Sequence, residues 1–393
     1  MAATDPPARA ARLPTAASTG AAPSVARRLY AGALAPDGLV DTLKHTDRLF
    51  PVATVRRGPG VRGLPDGPRR LGPIRLRQAA STYDLVDYLA LNRVAGLLVL
   101  KDGAIALEDY ELGLAPADRW ASFSIAKSVC STLVGAAIAD GFVSGVEEPL
   151  TRHLPELAGT AYDGVSIRQL LQMASGVGWD ETYTDPESDR RRFLELQIAG
   201  RPGSLIGFMG SLPRAAPPGL LFNYSTGETF LVGALLEAAT HQPLASYLSA
   251  KIWEPAGMES DATWWLESPS GAGIGGSGLA ATLRDYGRFA QFVLEDGIVG
   301  GTRIVPAGWF LESTAARMQG GVRVDYGYQW WPLPPADPVH RGAFAAQGIF
   351  GQRIYLNPGE RLVIIVLSAR PKPTGAHVVE DAAFFAAVAA ALA

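Results

Sequence analysis

The stretch Phe123-Ser124-Ile125-Ala126-Lys127-Ser128-Val129 decides how the rest of the chain is read. Ile125, Val129, Leu133, Val134, Ala137 and Ile138 recur at spacings of three and four until Gly141 ends the pattern, which predicts one helix with Ser124 and Lys127 in its first turn. Positions i and i+3 share a helix face, so the lysine amine and the serine hydroxyl come together there. A hydroxyl is a weak nucleophile until a base removes its proton, and a desolvated lysine next to another cation or a phenol can be that base. A hydroxyl at a helix N-terminus also lies among backbone N–H donors able to hold charge developing on a carbonyl oxygen. The plain alternative is a serine-rich helix start with a solvated lysine. Two features favour the chemical reading. Lysine is scarce, confined to Lys44, Lys101, Lys127, Lys251 and Lys372, and Lys127 sits in an apolar string. Arginine could not replace it as a base, because a guanidinium does not deprotonate in proteins.

Two further motifs gain meaning beside this pair. Tyr224-Ser225-Thr226 follows the turn Pro217-Pro218-Gly219 and precedes a helix expected from about Glu228. The lysine cation is expected to lower the pKa of a phenol on that loop, making it a proton shuttle; taken alone, a loop tyrosine reads as packing. Ala346-Gln347-Gly348-Ile349 leads into a strand. There Gly348 would let a substrate backbone approach and the Ile349 N–H would be a second oxyanion donor, although by itself the motif reads as a hairpin entry.

Rival signals carry less. Gly271 to Gly276 has the letters of a dinucleotide fingerprint, but Ser268-Pro269-Ser270 precedes it where a strand would be needed, so it reads as a turn or strand bordering the cleft. The histidines at 45, 153, 241, 340 and 377 are scattered and suggest no metal site. A Gly-x-Ser-x-Gly elbow is missing, which removes the α/β-hydrolase reading. Trp264-Trp265 and Trp330-Trp331 read as strand core or as the lining of an apolar cleft.

Composition narrows the class. The 393 residues are 48% hydrophobic and 19% charged, which excludes a disordered chain or a fibre. Lys+Arg 35 against Asp+Glu 38, without a dense basic block, gives no footprint for nucleic acid. No apolar run approaches the roughly 20 residues of a membrane span. Cys130 is the only cysteine, so neither a disulfide framework nor a thiolate cluster can form. Met1 to Pro23 lacks the apolar stretch of roughly 7–15 residues of a secretory signal and is read as a flexible tail on a cytoplasmic protein. Residues 1–75 are rich in Pro, Gly and Arg and read as an extension, with order beginning near Tyr83. Asp102-Gly103 between two apolar runs predicts a hairpin. Long loops are expected at Thr182–Asp189 and Gly200–Gly219, a helix at Thr282–Glu295, strands at Val322–Trp331, Gly351–Asn357 and Leu362–Leu367, and a helix from Val378 to Leu392.

Taken in order, Ser-x-x-Lys, Tyr-x-Thr about 100 residues on and x-x-Gly before a C-terminal hairpin and helix resemble the serine β-lactamase and penicillin-binding protein superfamily. Within it the chain is similar to class C β-lactamases, family VIII esterases and, most closely, the 6-aminohexanoate-dimer (nylon-oligomer) hydrolases. Glu156–Gly164, Trp179–Pro186, Gln329-Trp330-Trp331 and Gly351-Gln352 carry that closer likeness. The resemblance implies an α/β (α+β), β-lactamase-like fold, with an antiparallel sheet flanked by helices in 76–130 and 266–393 and an inserted all-helical domain in 131–265. It implies Ser124 as the acylated nucleophile, Lys127 as its activating amine, Tyr224 as the acid/base and the backbone amides of Ser124 and Ile349 as the oxyanion hole. Tyr183, Gly348 and Trp331 would bind substrate, without metal or cofactor. The function implied is a serine hydrolase cleaving amide or ester bonds of small linear molecules such as 6-aminohexanoate oligomers. The alternatives are a carboxylesterase with weak β-lactamase activity and an inactive penicillin-binding-like protein. A small-molecule substrate is the expected partner, and a homodimer is left open. One departure matters: Ala346-Gln347-Gly348 stands where β-lactamases carry Lys-Thr-Gly or His-Thr-Gly, and Thr226 where class C has Asn, which argues against antibiotic hydrolysis as the main task.

Overall fold

The computed structural model describes residues 21–333 and 338–393, so the first 20 residues of the expected tail lie outside the described residues. Its centre is a six-stranded antiparallel sheet in the order Trp331–Pro332, Phe344–Gly348, Gln352–Asn357, Leu362–Ser368, Val94–Lys101, Ala104–Tyr110. Sequence alone explains the first hairpin. Lys101 pairs with Ala104 across two residues, Asp102 at φ 54° and Gly103 at φ 79°, the positive pair that lets a two-residue turn match the twist of its strands.

Alternation along the strands splits the core into two layers. Leu97, Val99, Ile364 and Val366 face Tyr88, Phe384 and Phe385 of the helices Leu85–Leu91 and Asp381–Ala391. Leu98, Leu100, Val363 and Ile365 face the larger core, which includes Ile125, Val129 and Leu133 of the helix Ile125–Ala139 and Phe289 of the helix Leu283–Leu294. Each such fully buried side chain contributes roughly 1.5–3 kcal/mol over leaving it in water. Burial on both faces is why Val94–Lys101 reads as a continuous apolar run. The regular elements between 140 and 260 are helices joined by loops, and Thr226–Thr240 packs directly on Ile125–Ala139.

Three expectations need correction. Order begins well before Tyr83: helices span Ala21–Tyr30 and Pro36–Lys44, and Val52–Val55 pairs with Ala262–Trp265 in a second sheet with Leu279–Ala281 and Trp120–Ala121. These elements are only four to ten residues long, so their periodicity is drowned by the surrounding Pro, Gly and Arg. The loop expected at Gly200–Gly219 contains the helix Ser204–Ser211. The strand expected over Val322–Trp331 exists only at its ends, Val322–Val324 and Trp331–Pro332, because Gln329 at φ 61° breaks the extended backbone. Among the described residues no helix is long and apolar enough to cross a membrane.

Candidate active site

Ser124 caps the helix Ile125–Ala139, and the Lys127 Nζ lies 3.1 Å from its Oγ. Both side chains are nearly sealed from solvent, Lys127 at 1% exposure and Ser124 at 8%. The lysine has two more partners, the Thr226 Oγ1 at 3.1 Å and the Gly276 carbonyl at 2.7 Å. The directions of these bonds follow from chemistry. A carbonyl can only accept. The Thr226 hydroxyl donates to the Glu181 Oε1, so toward the lysine it too must accept. Two N–H bonds are therefore committed, and in the neutral amine the position left over, the lone pair, faces the Ser124 hydroxyl.

The charge state fits that geometry. Burial pulls the Lys127 pKa down to about 7; Glu181 partly restores it, and the Arg190 guanidinium lowers it further. Near neutral pH a large fraction of Lys127 is thus the free amine. Tyr224 behaves otherwise than expected from its sequence setting. Its phenol is hydrogen-bonded to Ser124, and its pKa is raised well above that of an ordinary tyrosine, first by burial and then by Glu181, with Ser124 and Arg190 pulling the other way. The lysine sits 5.1 Å from the centre of the tyrosine ring, but an amine with a pKa near 7 offers little positive charge to stabilise a phenolate. Tyr224 therefore keeps its proton at neutral pH instead of titrating early.

Local sequence explains how these groups are held. Ser225 caps the helix Thr226–Thr240 by accepting from the Glu228 N–H at 3.1 Å, which places Tyr224 at the entry to the helix and Thr226 in its first turn. The Asn223 N–H donates to the Met173 carbonyl at 2.8 Å and anchors the preceding loop. Gly276 belongs to the stretch with fingerprint letters, here the loop between Ala262–Trp265 and Leu279–Ala281. A Cβ at 276 would stand 2.7 Å from the Thr226 carbonyl oxygen and 3.4 Å from the Lys127 Nζ. Gly276→Ala is accordingly expected to push the lysine's carbonyl acceptor aside and lower kcat/KM at least tenfold. Steady-state kinetics on the variant, with circular dichroism to verify folding, checks this.

The expected site residues converge on one cleft of about 330 Å³. Ser124, Tyr183, Tyr224, Trp331, Gly348 and Ile349 line it, with Lys127 beneath Ser124. The Trp331 ring lies 5.9 Å from that of Tyr224, whereas Trp264, Trp265 and Trp330 are core. Two backbone outliers flank the amides expected to form the oxyanion hole: Phe123 at φ 45° precedes Ser124 and Phe350 at φ 62° follows Ile349. Their rings pack 5.4 Å apart. Left-handed backbone at a bulky residue costs of order 1–3 kcal/mol and persists only where the surroundings enforce it.

Sequence reading missed Glu181. Its carboxylate accepts from the Trp179 Nε1 at 2.5 Å, the Tyr183 hydroxyl at 2.9 Å, the Thr226 N–H at 2.9 Å and the Thr226 hydroxyl. It thereby ties the loop bearing Tyr183 to the threonine that orients Lys127. The Arg190 side chain, buried to 1% and stacked 4.2 Å over Tyr30, was missed as well.

The β-lactamase family model matches residues 91–389. The chain belongs to the β-lactamase family. Within it the chain is 30% identical over 390 residues to the 6-aminohexanoate-dimer hydrolase of Paenarthrobacter ureafaciens, covering 92% of this chain and 95% of that one. Among solved structures, a Bacillus anthracis protein provisionally described as a 6-aminohexanoate-dimer hydrolase superposes with a TM-score of 0.76 at 23% identity, over 86% of this chain and 90% of that one. A family VIII carboxylesterase superposes with a TM-score of 0.56 at 16% identity, over 78% and 95%. This β-lactamase-family protein is a serine hydrolase with the β-lactamase-like fold.

Proposed function

We propose that the protein cleaves amide or ester bonds of small linear substrates, 6-aminohexanoate-oligomer-like amides first among them, through an acyl-enzyme on Ser124. The observation that carries this is the Lys127 amine, buried, with a pKa near 7 and with its lone pair directed at the Ser124 hydroxyl. In this reading Lys127 takes the hydroxyl proton as Oγ attacks the substrate carbonyl. The backbone amides of Ser124 and Ile349 hold the oxyanion, each such donor being worth roughly 10²–10³ in rate. Tyr224 donates its proton to the departing amine or alkoxide, the lysine proton restores the phenol, and water then releases the acyl group by the reverse sequence. Each positioned proton transfer contributes about 10²–10⁴-fold. Likeness to an amide hydrolase over most of the chain supports amides over lactams.

The Tyr183 hydroxyl is held by Glu181 at the mouth of the cleft, where it would meet the scissile amide region. Tyr183→Phe is expected to reduce kcat/KM for a linear aminohexanoate amide about tenfold while affecting p-nitrophenyl butyrate much less. Equal losses on both substrates would remove this role. The reading as a whole is tested by intact-mass measurement after incubation with esters, amides and β-lactams. Acyl mass on Ser124 with steady turnover supports it, a single stoichiometric burst favours an inactive binder, and esters strongly preferred over every amide favour a carboxylesterase.

A further inference from the structure

One wall of the cleft is built from the turn Ile349–Gly351 and residues 370–377. The Phe350 N–H donates to the Pro373 carbonyl at 3.0 Å and the Arg370 N–H to the Phe350 carbonyl at 3.2 Å, which ties the two segments together. Three cations line this wall, Arg353, Arg370 and Lys372. One carboxylate, Asp381, answers two of them, accepting from the Arg353 Nε at 2.9 Å and the Arg370 Nη2 at 2.5 Å. Those three groups sum to one positive charge. Lys372 adds another: its amine donates to the Gly32 carbonyl at 2.8 Å and makes no ion pair among the described residues. His377 on the same segment shares a hydrogen bond with Glu380 at 3.0 Å.

The donors are not exhausted by the protein. Arg353 uses Nε on Asp381 and Nη1 on the carbonyls of Gly348 and Gln352, at 3.2 and 2.9 Å, leaving Nη2 without a protein acceptor among the described residues. Glu181, the carboxylate on the facing wall, has its oxygens taken up by four neutral donors and forms no ion pair with Arg353, Arg370 or Lys372 among the described residues. Gly351 adopts φ 92°, and a Cβ there would come within 2.4 Å of the Arg370 Nε, so the arginine's place in the wall depends on that glycine.

We propose that this wall binds a carboxylate carried by the departing half of the substrate, with Lys372 as the principal donor and Arg353 as the second. The substrates best served are amides or esters whose leaving group is itself an acid, such as an ω-amino acid. This rests on the hydrolase reading in one respect: Tyr224, which would protonate the leaving group, lines the same cleft. Charge-assisted hydrogen bonds to a carboxylate are about twice as strong as neutral ones, and a partly enclosed pair is screened less than an exposed one.

The test separates binding from chemistry. The full-length protein carrying Ser124→Ala is titrated calorimetrically with 6-acetamidohexanoate and with its methyl ester. The acid is expected to bind about tenfold tighter or more, with an advantage that shrinks as salt is raised. Lys372→Met should bring the acid to the level of the ester and Lys372→Arg should preserve the preference. Equal affinities, no measurable binding of the acid at millimolar concentration, or a preference that survives Lys372→Met combined with Arg353→Gln would each overturn the proposal. Turnover of p-nitrophenyl butyrate by protein with Ser124 intact is followed in parallel. Hydrolysis without acid preference sinks the carboxylate subsite and leaves the hydrolase reading standing, whereas acid preference without hydrolysis of any ester or amide does the opposite.

Discussion

Replacing Ser124 by alanine is expected to abolish covalent acylation and to lower kcat/KM for p-nitrophenyl butyrate by roughly 10⁴- to 10⁶-fold, the scale on which serine hydrolases lose activity when the nucleophile is removed. Whatever remains would come from substrate held against the amides of residues 124 and 349, which the substitution leaves in place. The fold should tolerate it. The Ser124 side chain contacts Lys127 and Tyr224 through hydrogen bonds but packs no core, so the melting temperature should shift by only a few degrees. Intact mass and initial rates on the purified variant decide the matter. A loss below tenfold, or an acyl mass that persists on the alanine protein, would move the nucleophile elsewhere.

The second large effect concerns pH. Below about pH 7 the Lys127 amine is an ammonium donating to three acceptors and has no lone pair for the serine; above it, the free base dominates. The rate constant kcat/KM should therefore climb through a midpoint near 7 and level off on the alkaline side. No fall is expected near pH 10, because burial and Glu181 keep the Tyr224 phenol protonated past the usual tyrosine range. Lys127→Arg holds the positive charge but cannot give up its proton, and should cost about 10²–10⁴-fold while erasing the rise near pH 7. A wild-type profile flat between pH 5 and 9 would exclude Lys127 as the titrating base.

The contrast between Lys127 and Tyr224 shows what the chain reveals by inspection. Ser124 and Lys127 are three residues apart on a strongly periodic helix, so local geometry alone brings them together. The 3.1 Å separation agrees with that. Tyr224 lies about 100 residues on, and only the order of motifs suggested that it joins them. Its titration was read in the wrong direction, because burial and a carboxylate 43 positions back in the chain outweigh the lysine next to it. Glu181 lay inside a stretch that carried family likeness, yet no local pattern announces a residue whose work is to orient Thr226 from another loop. Gly276 stood in letters that suggested a nucleotide, and its contribution is a carbonyl at a position with no room for a Cβ, a crowding that only the folded chain reveals. One hairpin of the sheet was legible from Asp102-Gly103 and the apolar runs around it, and the assembly of the rest of the sheet came from the family likeness; the short helices before residue 45 were not legible, since two to three turns give a period too little length to show.

Phe123 and Phe350 carry a consequence for how such a protein changes over time. Glycine at either position would relax the backbone by about 1–3 kcal/mol but delete a buried, packed ring at a cost of about 3–5 kcal/mol, so stability itself opposes drift toward it. The same relaxation would let the two neighbouring amides wander from their aim. In this chain the two packed rings thus hold the awkward angles in place, and removing either ring is expected to cost stability together with the aim of the neighbouring amide.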